Sequence, residues 1–318
     1  MSSHLTDGAF SAPFSFVGRE PVGRFAPSPT GPLHLGSLLA AVGSYLDART
    51  HGARWLVRIE DLDTPRVVPG CAAEQLRTLE AFGFEWDGEV LYQSTRREAY
   101  DAAIAALDAA GRVFRCSCTR RELAAAGGDD APGYPGTCRD GPARPGPMSL
   151  RFRVGDVPIH FDDLFQGPQS FDLATCGDVV VRRRDGLATY QLAVVVDDAF
   201  QGVTRVVRGA DLIASTPWQI ELQSALDLRH PSYGHLPLLV EADGSKLSKS
   251  RHAVPLDHSQ VAQGLTTTLT LLSHSPPPDL VHAPIKDVWK WAFEHWDPQG
   301  LAGTARAPLS AASDNKQK

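Results

Sequence analysis

The sequence predicts an α/β protein: a doubly wound sheet, interrupted by an inserted subdomain and followed by a small helical end. Three observations predict it. The stretch from Val22 to Ile59 reads strand, rigid loop, helix, strand, the opening of a βαβ unit. A Gly- and Pro-rich stretch, Gly127 to Pro147, breaks the chain with turns. Extended and helical segments resume beyond it and lead to a buried apolar strand, Leu236 to Val240.

The elements follow in order. Residues 1–19, rich in Ser, Ala and Gly, read as a flexible tail. Gly23 to Ala26 is extended and runs into Pro27-Ser28-Pro29-Thr30-Gly31-Pro32, where the prolines exclude a helix. Leu38, Leu39, Val42, Tyr45 and Leu46 recur at helical spacing until His51-Gly52. Trp55, Val57 and Ile59 alternate, which marks Arg54 to Ile59 as a strand. A second helix covers Ala72 to Phe82, and Thr95 with Glu98 forms a capping-box pattern ahead of a helix carrying Tyr100, Ile104 and Leu107. Val113 to Cys118 reads as extended and Arg120 to Ala126 as a short helix. Ser149 to Val154, Ile159 to Phe161, Asp178 to Arg182 and Thr189 to Val196 have strand character. Ala214 to Leu226 reads as a helix. Beyond Ser250 come a helical stretch, Pro276-Pro277-Pro278, a Trp-rich helix and a polar tail. The matching division is a first core half at 20–91, an insertion at 92–179, a second core half at 180–255, and a helical segment with tail at 256–318.

Composition bounds the function. The 318 residues carry 37 acidic and 31 basic side chains, a formal charge of −6, so bulk charge does not make this a general polyanion binder. A local basic strip for RNA stays open. The longest aliphatic run, Leu192 to Val196, is far below the roughly 20 residues that span a bilayer, and no membrane contact is expected. Met1 to Glu20 lacks a basic segment followed by an apolar one, so no secretory signal is expected. Five cysteines, an odd number, argue against a disulfide framework and for a reducing, cytoplasmic setting.

Two segments carry chemistry. A strand that ends in a proline-stiffened loop and enters a helix N-terminus, Arg24 to Ser37, is a geometry for holding phosphates and a flat base. Gly36 permits close backbone approach. His34 can donate a hydrogen bond to a phosphoryl oxygen that gains charge in a transition state. The alternative is a Gly/Pro turn with a surface histidine. Lys246-Leu247-Ser248-Lys249-Ser250, in a loop after the Leu236–Val240 strand, offers two lysines as a mobile clamp for a triphosphate. Alone, such a lysine pair is weak evidence; in this order around a βαβ frame the two motifs are specific.

Gly23 to Gly31 with Leu33-His34-Leu35-Gly36, then Arg58-Ile59-Glu60-Asp61, then Lys246 to Ser250, resembles the catalytic domain of class I glutamyl-tRNA synthetases. The first block matches their HIGH signature and the last their KMSKS signature, over roughly Val22 to Arg251. Ser37 stands where a second histidine would complete the first signature, which the resemblance reads as a variant, active site. The fold it implies is the Rossmann-type core of a class I aminoacyl-tRNA synthetase. After Ser250, 68 residues remain. An anticodon-binding domain uses ~100 or more, so none is expected. The chain is therefore similar to the stand-alone branch of that family, the glutamyl-Q tRNA(Asp) synthetases. The resemblance implies ligase chemistry by a monomer: L-glutamate is activated with ATP, Mg²⁺ riding on the phosphates, without tRNA. The glutamate then passes to the queuosine base in the anticodon loop of tRNA(Asp). The competing readings are a truncated glutamyl-tRNA synthetase charging the 3′ end of tRNA(Glu), a nucleotidyltransferase making a small-molecule amide, and a non-catalytic glutamate- or RNA-binding module.

Glutamate carries two carboxylates and one ammonium, so a pocket for it needs cations and an anion. The resemblance assigns to it Arg24, Phe25, Ala26, Pro27, Ser28, Glu60, Tyr190 and Arg208. Arg208, read as directly following an apolar strand, suits the side-chain carboxylate, Glu60 the α-ammonium or a salt bridge within Arg58-Ile59-Glu60-Asp61, and Tyr190 supplies a hydroxyl or simply packs. His34, Gly36 and Lys249 are expected on ATP, and His34, Lys246 and Lys249 as the catalytic groups. Cys116-Ser117-Cys118, Tyr134 and Cys138 form a C-x-C…Y-x3-C pattern that suits one structural zinc, with Tyr134 or a water as fourth ligand. Three reduced cysteines without metal are the alternative. Cys71 and Cys176 read as buried thiols. Asp61 and Asp63 read as partners of Arg58 or Arg66 rather than a magnesium site, and Arg182-Arg183-Arg184 fits RNA phosphates or a solvated turn equally.

Overall fold

The computed structural model describes residues 20–119, 121–123, 133–240, 254–304 and 306–308. Strand β1 (Val22–Phe25) pairs in parallel with β2 (Arg54–Ile59), Val22 opposite Arg54 and Phe25 opposite Val57, when the strands are joined through helix α1 (Leu35–Thr50). Parallel strands need such a crossover. Helix α1 is buried on most of its circumference, from Leu38 to Ala48, because packed elements cover more than one of its sides. Gly43 permits the closest approach: a Cβ there would lie 2.5 Å from Leu236. Helix α2 (Cys71–Ala81) leads to β3 (Leu91–Tyr92), which joins β2 in parallel.

After α3 (Arg97–Ala109) come β4 (Val113–Cys116), β5 (Ser149–Phe152), β6 (Ile159–Asp163), β7 (Gly167–Phe171), the short α4 (Leu173–Cys176) and β8 (Val179–Arg182). β4, β5 and β8 form an antiparallel sheet in that order, and β6 and β7 form a hairpin. The chain then runs through α5 (Tyr190–Gln201), β9 (Arg205–Gly209), α6 (Thr216–Ala225) and β10 (Ser232–Leu236), with β9 and β10 parallel. A backbone hydrogen bond from Thr204 N to Val22 O, 2.9 Å, sets β9 beside β1 and joins the two parallel units. Strand β11 (Leu238–Val240), α7 (Val261–Leu271), α8 (Ile285–His295) and β12 (Arg306–Pro308) close the described chain. The main core gathers around α1, where Tyr45 meets Trp55, Phe84 and Trp289 edge-on at 4.9–5.3 Å. A second core joins α3, β5, β8, α5 and α6. The parallel α/β core expected from the sequence is present.

Several expectations need correction. Thr189 to Val196 is not a strand but the start of α5, with Thr189 at its N-cap and Gly202, at φ +69°, at its C-cap. Leu192, Ala193, Val194 and Val195 are all buried, and a helix covered on several sides gives the same unbroken apolar run as a buried strand. The capping box does not form: a 3₁₀ turn, Gln93–Arg96, precedes α3, and Thr95 Oγ1 donates to Tyr92 O at 2.7 Å. Leu236 to Val240 is not one strand, because Pro237 lies between β10 and β11 and the two take different partners. Arg208 lies within β9 rather than after it. Cys71 is buried, but Cys176 is only half-buried. The expected N-terminal tail, most of the short helix at Arg120–Ala126, the lysine loop with Lys246 and Lys249, and the polar tail from residue 309 lie outside the described residues.

Candidate active site

The proline loop after β1 is held from α2. Gln75 Nε2 donates to the carbonyls of Ser28 (3.1 Å) and Gly31 (2.8 Å), and Cys71 Sγ donates to Gly31 O at 2.9 Å. This fixes one wall of a cavity of about 190 Å³ lined by Phe25, Pro27, Ser28, Thr30, His34 and Ser37 among others. His34 is the N-cap of α1. Its Nδ1 accepts from the backbone N–H groups of Gly36 (3.0 Å) and Ser37 (3.4 Å), so the proton of the neutral ring sits on Nε2, as a donor. A Cβ at Gly36 would lie 3.0 Å from His34 Cε1, so the glycine makes room for the capping imidazole. The chain leaving the lysine loop returns to this point: Pro255 bridges to His34, and Leu256 N donates to Leu33 O at 3.1 Å.

Next to this loop the strands β1, β2 and β9 bring buried charges together. Arg24 Nε donates to Asp198 Oδ1 at 3.2 Å and Nη1 to Val207 O at 3.4 Å. Arg58, fully buried, donates to the same Asp198 oxygen at 2.8 Å, to Gln201 Oε1 at 2.8 Å and to Glu60 Oε1 at 3.4 Å. Burial opposes ionisation of Asp198, but Arg24 and Arg58 outweigh it and hold the carboxyl below its ordinary range. At Glu60 burial wins over Arg58 and Arg24, and its carboxyl is pushed up.

Arg208 completes the group. Its Nη1 donates to Tyr190 Oη at 3.2 Å, its Nη2 to Thr216 Oγ1 at 3.0 Å, and its Nε to His235 Nε2 at 3.1 Å. Burial pushes the Tyr190 phenol up, while Arg208 and Arg24 pull it down and Glu60 pushes it further up, so all four groups share one electrostatic neighbourhood. The structure thus brings Arg24, Glu60, Tyr190 and Arg208 together. Asp198, Asp163 and His235, which order them, were not singled out from the sequence, and Arg58 was read only as an ion-pair partner of nearby acids. Their signal was there: an arginine in a buried strand, and the acid pair Asp197-Asp198 inside an apolar run.

The cysteines converge. One Sγ each from Cys116, Cys118 and Cys138 lie within 4.8 Å of one another, Cys118 and Cys138 at 3.5 Å, among the described residues. Tetrahedral zinc with Zn–S near 2.3 Å wants sulfurs about 3.8 Å apart, so the donor set fits. Tyr134 Oη lies 3.5 Å from Cys116 Sγ and 3.9 Å from Cys118 Sγ, and accepts from Cys138 N at 2.7 Å. Burial pushes the Cys138 thiol up, but the backbone donors of Ala143 and Ser117 outweigh it and bring it to about 6. Burial and the neighbouring Cys138 push Cys118 to about 11. One thiolate is thus ready for a cation, and more thiolates await the cation's charge.

Asp61, Asp63 and the Arg182–Arg184 run take partners within the chain. Asp63 accepts from Arg66, as expected, and also from Arg183 (2.9 Å), whereas Asp61 takes Ser94 N (2.7 Å) and Oγ (2.6 Å) rather than Arg58. Arg182 pairs with Asp101, Arg183 also with Asp185, and Arg184 donates to the carbonyls of Ser117 and Cys118 at 2.6 Å, tying the cysteine knuckle to the segment ahead of Tyr190.

Comparison with known proteins follows from this geometry. The family described as tRNA synthetases class I (E and Q), catalytic domain, matches residues 22–273. The chain is 53% identical over 298 residues to a glutamyl-Q tRNA(Asp) synthetase of Aromatoleum aromaticum, covering 91% of this chain and 94% of that one. It is 51% identical over 303 residues to the protein of that name from Geobacter sulfurreducens, covering 92% and 96%. Among solved structures it is similar in fold to a glutamate tRNA ligase from Elizabethkingia meningosepticum, with TM-score 0.74, 24% identity, and 92% of this chain and 68% of that one covered.

Proposed function

The chain belongs to the family of class I tRNA synthetase catalytic domains of the E and Q type, and from that premise we propose that it activates L-glutamate with ATP and transfers it to the queuosine base in the anticodon loop of tRNA(Asp). The observation that carries the amino-acid assignment is the cluster of buried Arg24 and Arg208 with half-buried Glu60 and Tyr190: guanidiniums for carboxylates, a carboxylate for an ammonium. Aspartate, one methylene shorter, does not reach both arginines. The acceptor is supported by the two relatives at 53% and 51% identity and by their names.

In this reading an oxygen of the glutamate α-carboxylate attacks the α-phosphorus of ATP, the bond to pyrophosphate breaks, and glutamyl-adenylate forms. No protein nucleophile is needed, so positioning and charge neutralisation carry the rate. His34, with Nδ1 tied to the helix N-terminus, presents Nε2–H to a phosphoryl oxygen. Lys246 and Lys249 are assigned to the phosphates, together with the Mg²⁺ that accompanies ATP, and Gly36 to the nucleotide. The segment Arg24 to Ser28 lines the amino-acid side. A hydroxyl of the modified base then attacks the acyl carbon and AMP leaves. Cys116, Cys118, Cys138 and Tyr134 are assigned to one zinc ion, which would order the insertion at 92–179 rather than take part in the reaction. The protein is read as a cytoplasmic monomer; among the described residues no helix is long and apolar enough to cross a membrane.

Pyrophosphate exchange into ATP, without tRNA, should depend on glutamate and be poor with aspartate. Labelled glutamate should then attach to tRNA(Asp) that contains queuosine, even after its 3′-terminal adenosine has been removed. Label at the 3′ end of tRNA(Glu), with none on the queuosine-containing tRNA(Asp), would overturn the reading of the acceptor.

A further inference from the structure

Behind Arg208 lies a buried relay. Asp163, at the end of β6, and His235, on β10, have fully buried side chains. Asp163 Oδ1 accepts the backbone N–H groups of Phe165 (3.0 Å), Gln166 (2.9 Å) and His235 (3.0 Å), which fixes the β6–β7 turn against β10. Its Oδ2 bonds His235 Nδ1 at 2.5 Å. On the other side of the ring, His235 Nε2 faces Arg208 Nε at 3.1 Å. A guanidinium only donates, so Nε2 must carry the lone pair and Nδ1 the proton. The ring is therefore neutral and in one tautomer. Burial and the Arg208 charge push His235 down, in agreement, although Asp163 pulls the other way.

We propose that Asp163 and His235 are positioning residues for amino-acid recognition: Asp163 fixes the Nδ1–H tautomer of His235, whose bare Nε2 takes the Arg208 Nε–H and sets the plane in which the Nη atoms meet the side-chain carboxylate of glutamate. This rests on the assignment of Arg208 to glutamate. The relay differs from ordinary packing in its dependence on the position of a single proton. In Asp163→Asn the amide oxygen still serves the three backbone donors, but its NH₂ faces Nδ1. The ring proton is driven to Nε2, where it opposes Arg208 Nε–H.

His235→Asn keeps a donor where Nδ1 stood and loses the acceptor for Arg208; His235→Gln places its oxygen where Nε2 stood and keeps that acceptor. Glutamate-dependent pyrophosphate exchange on the full chain should show KM for glutamate raised about tenfold or more in Asp163→Asn and His235→Asn, the loss of one hydrogen bond to a charged group. KM for ATP and kcat at saturating glutamate should hold, and His235→Gln should stay near the parent. Asp163→Asn added to His235→Gln should cost no further glutamate affinity, because glutamine has no tautomer to set. Nitrogen NMR of imidazole-labelled protein, with the His235 signals identified by their absence in His235→Gln, should show a protonated Nδ1 and a bare Nε2. An unchanged KM in folded Asp163→Asn, an equal cost on both backgrounds, or a protonated Nε2 in the parent overturns the proposal. Should Asp163→Asn fail to fold, the two His235 variants decide, since both leave the Asp163 backbone bonds in place. Absence of glutamate-dependent exchange in the unmodified protein would instead defeat the functional reading, and the NMR result would still decide the tautomer.

Discussion

A single carboxylate, Asp198, holds two buried guanidiniums, Arg24 and Arg58, through one oxygen atom. Removing the partner of a buried charge leaves that charge without compensation in a medium that solvates it poorly, at a cost of about 3–5 kcal/mol. Asp198→Asn should therefore lower stability by about that amount in denaturant unfolding. A loss well under 1 kcal/mol would show that Gln201 and Glu60 suffice for Arg58. Arg208 is a different case, because its partners Tyr190, Thr216 and His235 are neutral. Arg208→Lys keeps the charge but not the planar fork. It should melt close to the parent while glutamate-dependent exchange falls about a hundredfold; near-parental exchange would contradict the carboxylate assignment. Much of this site was legible in the sequence, since Arg24, Glu60 and Tyr190 stand in or beside short, patterned segments. The residues that orient them were not. Asp163, Asp198 and His235 lie 103 or more residues from Arg24 and Glu60, and the parallel packing of β1, β2, β9 and β10 helps to make them neighbours.

At the scale of elements, β-branched runs mislead where a helix is surrounded. Val194, Val195 and Val196 favour a strand, yet their segment is α5, whose first residue presents the Tyr190 hydroxyl to Arg208. The useful boundary signal was Gly202, whose positive φ ends the helix. The cysteine knuckle offers the converse: the convergence of Cys116, Cys118 and Cys138 was legible from spacing, but not what seats Tyr134. Gly177, at φ +72°, passes so close that a Cβ would lie 2.3 Å from Tyr134 N. Gly177→Ala would combine backbone strain with that clash, so Tyr134 must move. Metal analysis should find less than the one zinc per chain expected of the parent. Cys118→Ser should lose the metal and tRNA charging while leaving glutamate–ATP exchange comparatively intact, because Arg24, Arg58 and Asp198 anchor the pocket from other elements. Exchange that collapses together with charging would show that Arg184, which joins the knuckle carbonyls to the segment ahead of α5, transmits its loss to the pocket.

For the whole molecule, buried histidines set the response to acid. His235 and His274 are buried, and burial pushes both below their ordinary value near 6.5. Each ring is neutral for a geometric reason. His274 Nδ1 faces Leu272 O at 2.7 Å while its Nε2 accepts Asp297 N–H at 3.0 Å, and His235 is held between Asp163 and Arg208. Protonating either ring in the folded state removes the acceptor of a hydrogen bond, from the buried Arg208 Nε–H at His235 and from the Asp297 N–H at His274. The unfolded chain therefore binds more protons once the pH drops through about 6.5, and stability must fall with pH from there down to the lowered folded values. Each histidine contributes up to about 1.4 kcal/mol per pH unit in that window. Glu60, pushed up by burial, acts in the opposite direction, but only above the ordinary glutamate value and as a single group. Asp198 and Asp163, held low, add a further loss only below about pH 4, where their unfolded forms take up protons. Thermal melts at constant ionic strength should consequently decline from pH 7 towards pH 5, in addition to the loss that Cys138, brought to about 6 in the folded protein, already contributes between pH 8 and 7. His274→Gln keeps an acceptor for Asp297 N–H and cannot ionise, so it should lower the melting temperature modestly at pH 7 and flatten the decline. A parent profile that is flat from pH 7 to pH 5, or a His274→Gln profile as steep as the parent, would mean that these rings ionise freely in the folded protein.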